Sequence, residues 1–153
     1  MADLTAIRTS IASQVAANAI PALSTSAESL DMINPPMFLV MPGNPISKIG
    51  VCLGEGLLDA GGRPVSPTEF TIRAHLIVAR ADVIANVQDN LDTWLGFERT
   101  ATAVSVGMAI AMDPTLGGTV EWCECTTEDS YAPIEIAGIM YFGARLNMNV
   151  SAR

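Results

Sequence analysis

Apolar residues near the N-terminus recur at the three- and four-residue spacing of a helix. They are Leu4, Ile7, Ile11 and Val15, with small alanines between them. Asp3 stands before this series and can cap its first turn, and Pro21 ends it. Because the apolar side chains are modest in size, we expect this helix to pack on a larger surface.

Two later segments of the first half have the pattern of strands. Residues 37–41 form a short, continuous apolar run next to two prolines, which favours a buried strand. Residues 69–80 alternate: Phe70, Ile72, Ala74, Leu76 and Val78 are predicted on one face, and Thr71, Arg73, His75 and Ile77 on the other. The small, polar residues 23–34 predict a connection.

The next segment predicts two helices. Asp82 is expected to cap the first helix and Gly96 to end it. Its apolar positions are Val83, Ile84, Val87, Leu91, Trp94 and Leu95. The second helix is predicted through Val104, Met108 and Ala111. It closes at Asp113-Pro114, because the residue before a proline disfavours helical geometry, and residues 115–118 predict a turn.

The C-terminal part predicts two strands, residues 119–127, which hold Val120 and Trp122, and residues 134–150. In the second, one face is predicted to carry Ile134, Ile136, Met140, Phe142, Leu146, Met148 and Val150. The other is predicted to carry Glu135, Ile139, Tyr141, Arg145, Asn147 and Asn149. Since strands usually have about 5–6 residues, we expect this long one to bend or to extend beyond its own subunit.

The order of these elements predicts one α+β domain over residues 1–153. Its mostly antiparallel sheet is expected to pack against the N-terminal helix and the central helix pair. Residues 43–67 are rich in glycine and proline and predict an extended loop or arm, in which residues 49–53 can pair as a strand. Connections longer than about 15 residues are uncommon unless they bind a partner, so we expect this arm to be a flexible contact.

Composition points to self-association. Hydrophobic residues make up 50% of the chain and charged residues 16%, against roughly 25% charged in typical soluble domains. The longest apolar stretch, residues 101–112, is too short to span a membrane, and an acid stands where a signal peptide carries positive charge. We therefore expect a soluble protein made in the cytosol, whose surplus apolar surface is covered by other subunits.

The charge balance disfavours a grip on nucleic acid. The formal net charge is −8, and Lys48 is the only lysine. Binding to duplex DNA relies on lysine and arginine to neutralise phosphates. An acidic surface instead suits a channel that DNA must slide past.

Residues that could carry chemistry are few. Cys52, Cys123, Cys125 and His75 are enough in number and type for a four-ligand zinc site. No CxxC or HxxxH pair presets two of the ligands, however, so we favour reduced, packed cysteines. The sole histidine, His75, is expected in mid-strand as a structural residue.

Paired carboxylates and glycines also have plain structural interpretations. Asp89 and Asp92, on the polar side of the predicted helix, are expected to be solvated charges, and Glu121 and Glu124 are the other available pair. The motif Gly54-Glu55-Gly56 lacks the third glycine of a dinucleotide-binding loop, which Asp59 replaces, and Gly117-Gly118 fits a turn. We therefore predict no catalytic, cofactor or metal site, and no enzyme.

Interface residues are the remaining candidates. Trp94 and Trp122 can anchor an interface, although the core is the favoured place for both. Arg73 and Arg145 are candidates for salt bridges between subunits, with solvated charge as the alternative. The predicted subunit or partner interface comprises Arg73, Arg145, Tyr141, Trp122, Val51, Leu53, Leu57 and Leu58.

An ordered series of residues carries a family resemblance. It consists of residues 80–82, 91–95 and 109–120, the last with the sequence AIAMDPTLGGTV, and residues 134–144, IEIAGIMYFGA. Between Phe70 and Val150 this series resembles the tail-terminator and minor-tail proteins of long non-contractile phage tails, particularly those of actinobacterial phages.

The resemblance implies a structural virion protein. Family members form a ring, usually of six copies, at the head-proximal end of the tail tube, in the neck region of the virion. Such a ring stops tube polymerisation, docks to the head connector and leaves a channel through which DNA passes without specific binding. The implied fold is α+β, with a sheet backed by helices and no catalytic residues.

Two alternatives remain open. The first is another neck or head-closure connector ring protein. The second is a small ligand-binding or catalytic α+β domain, in which the arm acts as a lid and titratable groups cluster near His75.

Overall fold

The structure, a computed structural model, describes residues 3–28, 33–41, 46–47, 69–81, 87–96 and 102–151. Within these ranges the helices are α1 (Leu4–Asn18), α2 (Val87–Leu95) and α3 (Val106–Met112). The strands are β1 (Ser24–Ser26), β2 (Met37–Val40), β3 (Ile46–Ser47), β4 (Glu69–Arg80), β5 (Trp122–Ile136) and β6 (Ile139–Ser151).

The strands form one sheet in the order β1-β2-β4-β6-β5, and the two-residue β3 also pairs with β4. Every pairing is antiparallel except that of β1 with β2. The fold is therefore α+β with a mostly antiparallel sheet, as the sequence predicts. The strand β1 is a difference, because residues 23–34 were expected to form only a connection.

The first helix follows its sequence pattern. Asp3 caps it by accepting a hydrogen bond from the backbone N–H of Ala6 at 3.0 Å. Ile7, Ile11 and Val15 are buried, which confirms the predicted apolar face. The helix ends at Asn18, before Pro21.

The central helices differ from the prediction at their starts. Residues 82–86, which include the expected cap Asp82, lie outside the described residues. The third helix begins after Ser105, whose hydroxyl accepts a hydrogen bond from the backbone N–H of Met108 at 3.2 Å. Val104, expected inside this helix, instead exchanges two backbone hydrogen bonds of 3.0 Å with Ile20.

The turn after α3 is organised by Asp113. Its carboxylate accepts hydrogen bonds from the hydroxyl of Thr115 at 2.6 Å and from the backbone N–H of Gly117 at 2.8 Å. These bonds, the Thr115 hydroxyl first, lower the pKa of Asp113 below its usual value. Gly117 and Gly118 have φ of 70° and 85°, which confirms the predicted turn.

The single strand predicted over residues 134–150 is wrong. Ala137 and Gly138, with φ of 52° and 80°, form a two-residue turn that separates β5 from β6. Ile134 pairs with Tyr141 across this hairpin. Directly paired residues share a face, so Ile134 lies on the side of Tyr141 and not on the predicted side of Phe142.

All three helices pack on one side of the sheet, which we call the inner face. The main core lies there. On β4 it contains Phe70, Ile72, Ala74, Leu76 and Val78, and on β6 Ala144, Leu146, Met148 and Val150. The helices contribute residues such as Ile11, Leu91 and Ile110, and Gln14 of α1 donates a hydrogen bond to the carbonyl of Ala109 in α3 at 3.0 Å.

The other side of the sheet, the outer face, has a smaller core of its own. We call it the outer cluster, and its members are Ile33, Leu39, Ile77, Ala132, Ile134 and Tyr141. None of the described helices covers it. The predicted alternation of β4 is thus confirmed for one face, whereas Ile77, predicted on the less apolar side, is fully buried.

Candidate subunit interface

Four polar residues form a square on the outer face. In the pairing of β4 with β6, His75 lies opposite Arg145, and Arg73 lies opposite Asn147. Side chains of directly opposed residues approach within about 5.5 Å at Cβ, so these four groups act on one another. We call them the outer-face square.

Arg145 already has partners within its own chain. Its Nη1 lies 3.5 Å from the Asp129 carboxylate of β5, and its Nη2 donates a hydrogen bond to the Pro133 carbonyl at 3.3 Å. The side chains of this ion pair are 41% and 46% exposed, so water screens the pair. The expectation that Arg145 bridges subunits therefore competes with an ion pair inside the subunit.

Arg73 differs from Arg145. Its side chain is exposed, and within the described ranges it forms no ion pair. Among the described residues, Arg145 thus has an ionic partner and Arg73 has none.

His75 is held in a positive environment. Burial lowers its pKa below the usual value, as do the neighbouring charges of Arg145 and Arg73, while Glu128 acts in the opposite direction. Its Nδ1 and the Oδ1 of Asn147 are buried without a hydrogen-bond partner among the described residues. Among the described residues, no hydrogen bond thus positions a nucleophile or an acid on the Nδ1 atom of His75.

A hydrogen-bonded row lies next to the square and crosses three strands. Thr71 of β4 donates from its hydroxyl to Asn149 of β6 at 3.0 Å. The Asn149 amide donates to Glu124 and to Thr126 of β5 at 3.3 and 3.4 Å. This row fixes the polar surface of the outer face.

The aromatic candidates fall in different places from those expected. Tyr141 is 2% exposed, so its burial in the outer cluster requires no partner subunit. Trp122 is 52% exposed, so the favoured core placement is wrong for this residue. Trp94 is in the core as expected, and its indole N–H donates to the carbonyl of Pro21 at 2.9 Å. Val51, Leu53, Leu57 and Leu58 lie outside the described residues.

Other exposed apolar side chains were not anticipated from the sequence. They are Ile20, Met112, Tyr131 and Met140, each 37% to 44% exposed. The ring of Tyr131 stacks on Phe142, with centroids 5.4 Å apart. The sequence offered a signal only for Met140, which is the second residue after the Ala137-Gly138 turn.

A cavity lies between the helices and β5. Its volume is about 380 Å³, and its apolar lining includes Trp94, Leu95, Met108, Cys125 and Leu146. Three consecutive residues of β5, 125–127, line it. Since consecutive side chains of a strand point to opposite faces, the backbone edge of β5 itself borders the cavity.

The described cysteines and the histidine lie on opposite sides of the sheet. Cys123 and Cys125 belong to the inner-face core, and burial raises the pKa of each thiol to about 12. His75 is on the outer face, so it cannot share a metal with them. The described part of the chain holds no group of three or more metal-ligating side chains, and Cys52 lies outside it.

The predicted carboxylate pairs are on the surface. Asp89 and Asp92 are exposed on α2, and Glu121 and Glu124 are exposed at the start of β5. For Asp89 and Asp92, this agrees with the predicted position on the polar side of the helix. Gly54, Gly56 and Asp59 lie outside the described residues.

Within the described ranges, no helix has both the length and the apolar character needed to cross a bilayer. Comparisons with protein-family models, with characterised proteins and with solved structures find no match to this chain. The resemblance to tail-terminator proteins therefore stays a prediction.

Proposed function

We propose that this chain is a structural virion protein, the subunit of a ring that caps the head-proximal end of a phage tail tube. The ring stops tube polymerisation, joins the tail to the head connector and leaves a channel for DNA. Six copies form the ring. The protein is not an enzyme and uses no cofactor or metal.

The observation that carries the proposal is the ordered series of residues between Phe70 and Val150 that resembles tail-terminator proteins. The resemblance implies a sheet backed by helices, and the observed α+β fold is compatible with that expectation. Many unrelated functions share such folds, so the fold alone does not decide the function.

The surfaces of the described residues support assembly with other chains. The outer face lacks a helix layer among the described elements, and Trp122 is more than half exposed at the start of β5. Aromatic residues in exposed positions are typical anchors of protein interfaces. Arg73 supplies an exposed charge that has no ion pair among the described residues.

The charge of the chain supports a channel role. With a net charge of −8 per copy, six copies carry a strongly negative field. Such a field repels the phosphates of passing DNA and prevents sticky contacts during ejection.

The location of the protein in purified particles tests the proposal. Labelling of the chain followed by electron microscopy is expected to show a ring at the head-proximal end of tails, retained on headless tails. Retention on tailless, filled heads would favour the head-closure alternative instead. A deletion mutant is expected to produce overlong or headless tails, and normal tails in its absence would contradict the proposal.

Ring closure has a separate test in Arg73. The substitution Arg73→Glu is expected to reduce ring assembly without changing the fold, with Arg80→Glu as a control, since Arg80 is another exposed arginine of the same strand. Assembly is measured on tails by microscopy and in solution by light scattering. Equal assembly of both variants would remove Arg73 from the interface.

The ligand-binding alternative predicts a different outcome. It requires a monomer or dimer that is absent from purified virus and that binds a small molecule. The cavity beside β5 lies on the inner side of the sheet and His75 on the outer face, so the two do not form a common site. We therefore favour assembly over ligand binding.

A further inference from the structure

The last strand of the sheet, β5, has one edge without a strand partner among the described residues. Its two halves differ. Residues 122–127 pair with β6 in regular register, whereas two register shifts follow between Thr127 and Ala132. The second half also contains Pro133, which cannot donate a backbone hydrogen bond. Bulges and proline are devices that prevent strand addition, so only the first half is a regular, open edge.

The cavity lies directly against this regular half. Residues 125–127 form its wall on the sheet side, and Leu95 and Met108 form its wall on the helix side. A strand added to this edge would therefore place every second side chain over an apolar cavity of about 380 Å³. Neither Gly107 nor Gly96 fills it, because each lacks a side chain.

The charge along the edge sets the chemistry of the occupant. Residues 121–136 contain five acidic residues and neither lysine nor arginine. Glu124 is exposed within the regular half, and Glu121 and Glu128 are exposed directly before and after it. Side chains of an added strand that point away from the cavity would lie beside these carboxylates, and basic side chains fit there.

We propose that the regular half of β5 binds an extended segment of a different protein, in which apolar residues alternate with basic ones. The backbone of that segment pairs with residues 122–127, its apolar side chains enter the cavity, and its basic side chains contact the acidic edge. This is recognition by strand addition, in which main-chain hydrogen bonds give affinity and pockets give specificity.

A second copy of this chain is the less suitable occupant. Each copy carries a net charge of −8, so an acidic edge repels it. The opposite edge strand of the described sheet, β1, is Ser24-Thr25-Ser26, which has no apolar side chain to place in the cavity. The proposal rests on β5 and its cavity and does not require the ring.

The test uses a synthetic six-residue peptide of alternating lysine and valine, added to the full-length protein. Calorimetry measures its affinity, and amide hydrogen exchange measures the protection of residues 122–127. We expect binding and slower exchange in these residues. A matched peptide of alternating glutamate and valine is expected to bind at least about tenfold more weakly, a difference typical of complementary against like charges.

Three variants locate the site. Gly107→Leu is designed to fill the cavity, because a Cβ at Gly107 would have no atom within 4 Å. Glu124→Lys reverses a charge on the regular half, and Glu135→Lys reverses an exposed charge on the other half of the strand. The first two are expected to weaken binding about tenfold or more, and the third to leave it unchanged. Thermal unfolding of each variant checks the fold.

Several outcomes would overturn the proposal. The basic peptide does not bind, the acidic peptide binds equally well, or the basic peptide slows amide hydrogen exchange outside residues 122–127 and not within them. If a variant fails to fold, the exchange pattern of the unmodified protein still decides. Protection of residues 122–127 that appears in the protein alone as its concentration rises would assign the edge to a second copy. Ring formation on tails is measured separately, so failure here leaves the proposed function standing.

Discussion

The inner and outer faces of the sheet bury their apolar residues by different means. On the inner face, three helices cover a long row of side chains from β4 and β6. On the outer face, the buried side chains cover one another with the help of Ile33, and no described helix contributes. Leu76 and Ile77 show the contrast most directly, because they are neighbours on β4, both fully buried, and on opposite faces.

The outer cluster lies where the pairing of the sheet is irregular. The register shift of β4 at Ile77 and the two shifts of β5 lie opposite residues 142–146 of β6. Bulges increase the local twist and bend the strand that carries them. The irregular part of the sheet therefore carries several members of the outer cluster, including Ile77, Ala132 and Tyr141.

The largest expected effect is at Gly143, in the centre of this irregular region. A Cβ at Gly143 would lie 2.0 Å from the backbone oxygen of Leu76, so β4 and β6 must move apart. We expect Gly143→Ala to lower the free energy of unfolding by about 3 kcal/mol or more, as in strongly overpacked cores. Urea unfolding monitored by circular dichroism measures this.

A matched control is Gly107→Ala, in α3. A Cβ there meets no atom within 4 Å, and alanine favours helix over glycine by up to about 1 kcal/mol. This variant is expected to be as stable as the original or slightly more so. A similar loss in both variants would contradict the close approach of the strands.

The second effect compares Leu76→Ala with Ile77→Ala. Both substitutions remove a fully buried side chain, and such losses range over about 2–5 kcal/mol. Leu76→Ala is expected near the upper end, because helices fix the walls of its cavity. Ile77→Ala is expected near the lower end, because no described helix fixes the walls of its cavity. Denaturant unfolding of the two variants measures the difference, and a larger loss for Ile77→Ala would contradict this view of the outer face.

The third effect is a pH dependence of the outer face. The pKa of His75 is lowered in the folded protein, so the unfolded chain binds more protons on acidification. The contribution of His75 to the free energy of unfolding is therefore fully present above the unfolded pKa of about 6.5, and it is lost as the pH falls through the folded pKa. Urea midpoints between pH 7.5 and 5.5 measure the decline.

The variant His75→Gln serves as the comparison for this pH effect. It removes the titrating group and is expected to flatten the dependence over that range. An equally steep decline in the variant would assign the effect to other groups.

The smallest effect is at Arg145. Its ion pair with Asp129 is nearly half exposed, and such pairs contribute about 0–1 kcal/mol. Arg145→Gln is thus expected to change the free energy of unfolding by less than about 1 kcal/mol, as measured by thermal or urea unfolding. A larger loss would show that the pair contributes more than a screened surface ion pair.

The elements of the inner face were predictable because the apolar residues of each element recur at a single spacing, that of a helix or that of a strand. Asp3 and the spacing of Ile7, Ile11 and Val15 define α1, and the alternation from Phe70 to Val78 defines one side of β4. Helix starts were less predictable. Ser105 determines the start of α3 by capping, whereas the apolar pattern had placed Val104 inside the helix.

The outer face was less predictable because its order depends on turns and bulges. Ile136 pairs with Ile139 across the Ala137-Gly138 turn. The outer face therefore carries even-numbered residues before the turn and odd-numbered residues after it. The three-residue spacing of these isoleucines around a glycine was the available signal. Trp122 was misplaced for a related reason: the inner side of β5 is set by Cys123 and Cys125, which leaves the indole on the opposite side.

The placement of the two tryptophans has a spectroscopic consequence. Trp94 is enclosed between helix and sheet, and Trp122 is the indole in contact with water. A soluble quencher such as acrylamide would therefore extinguish the emission of Trp122 selectively in the isolated chain. Loss of that quenching on assembly would report contact at the start of β5, without any label attached to the protein.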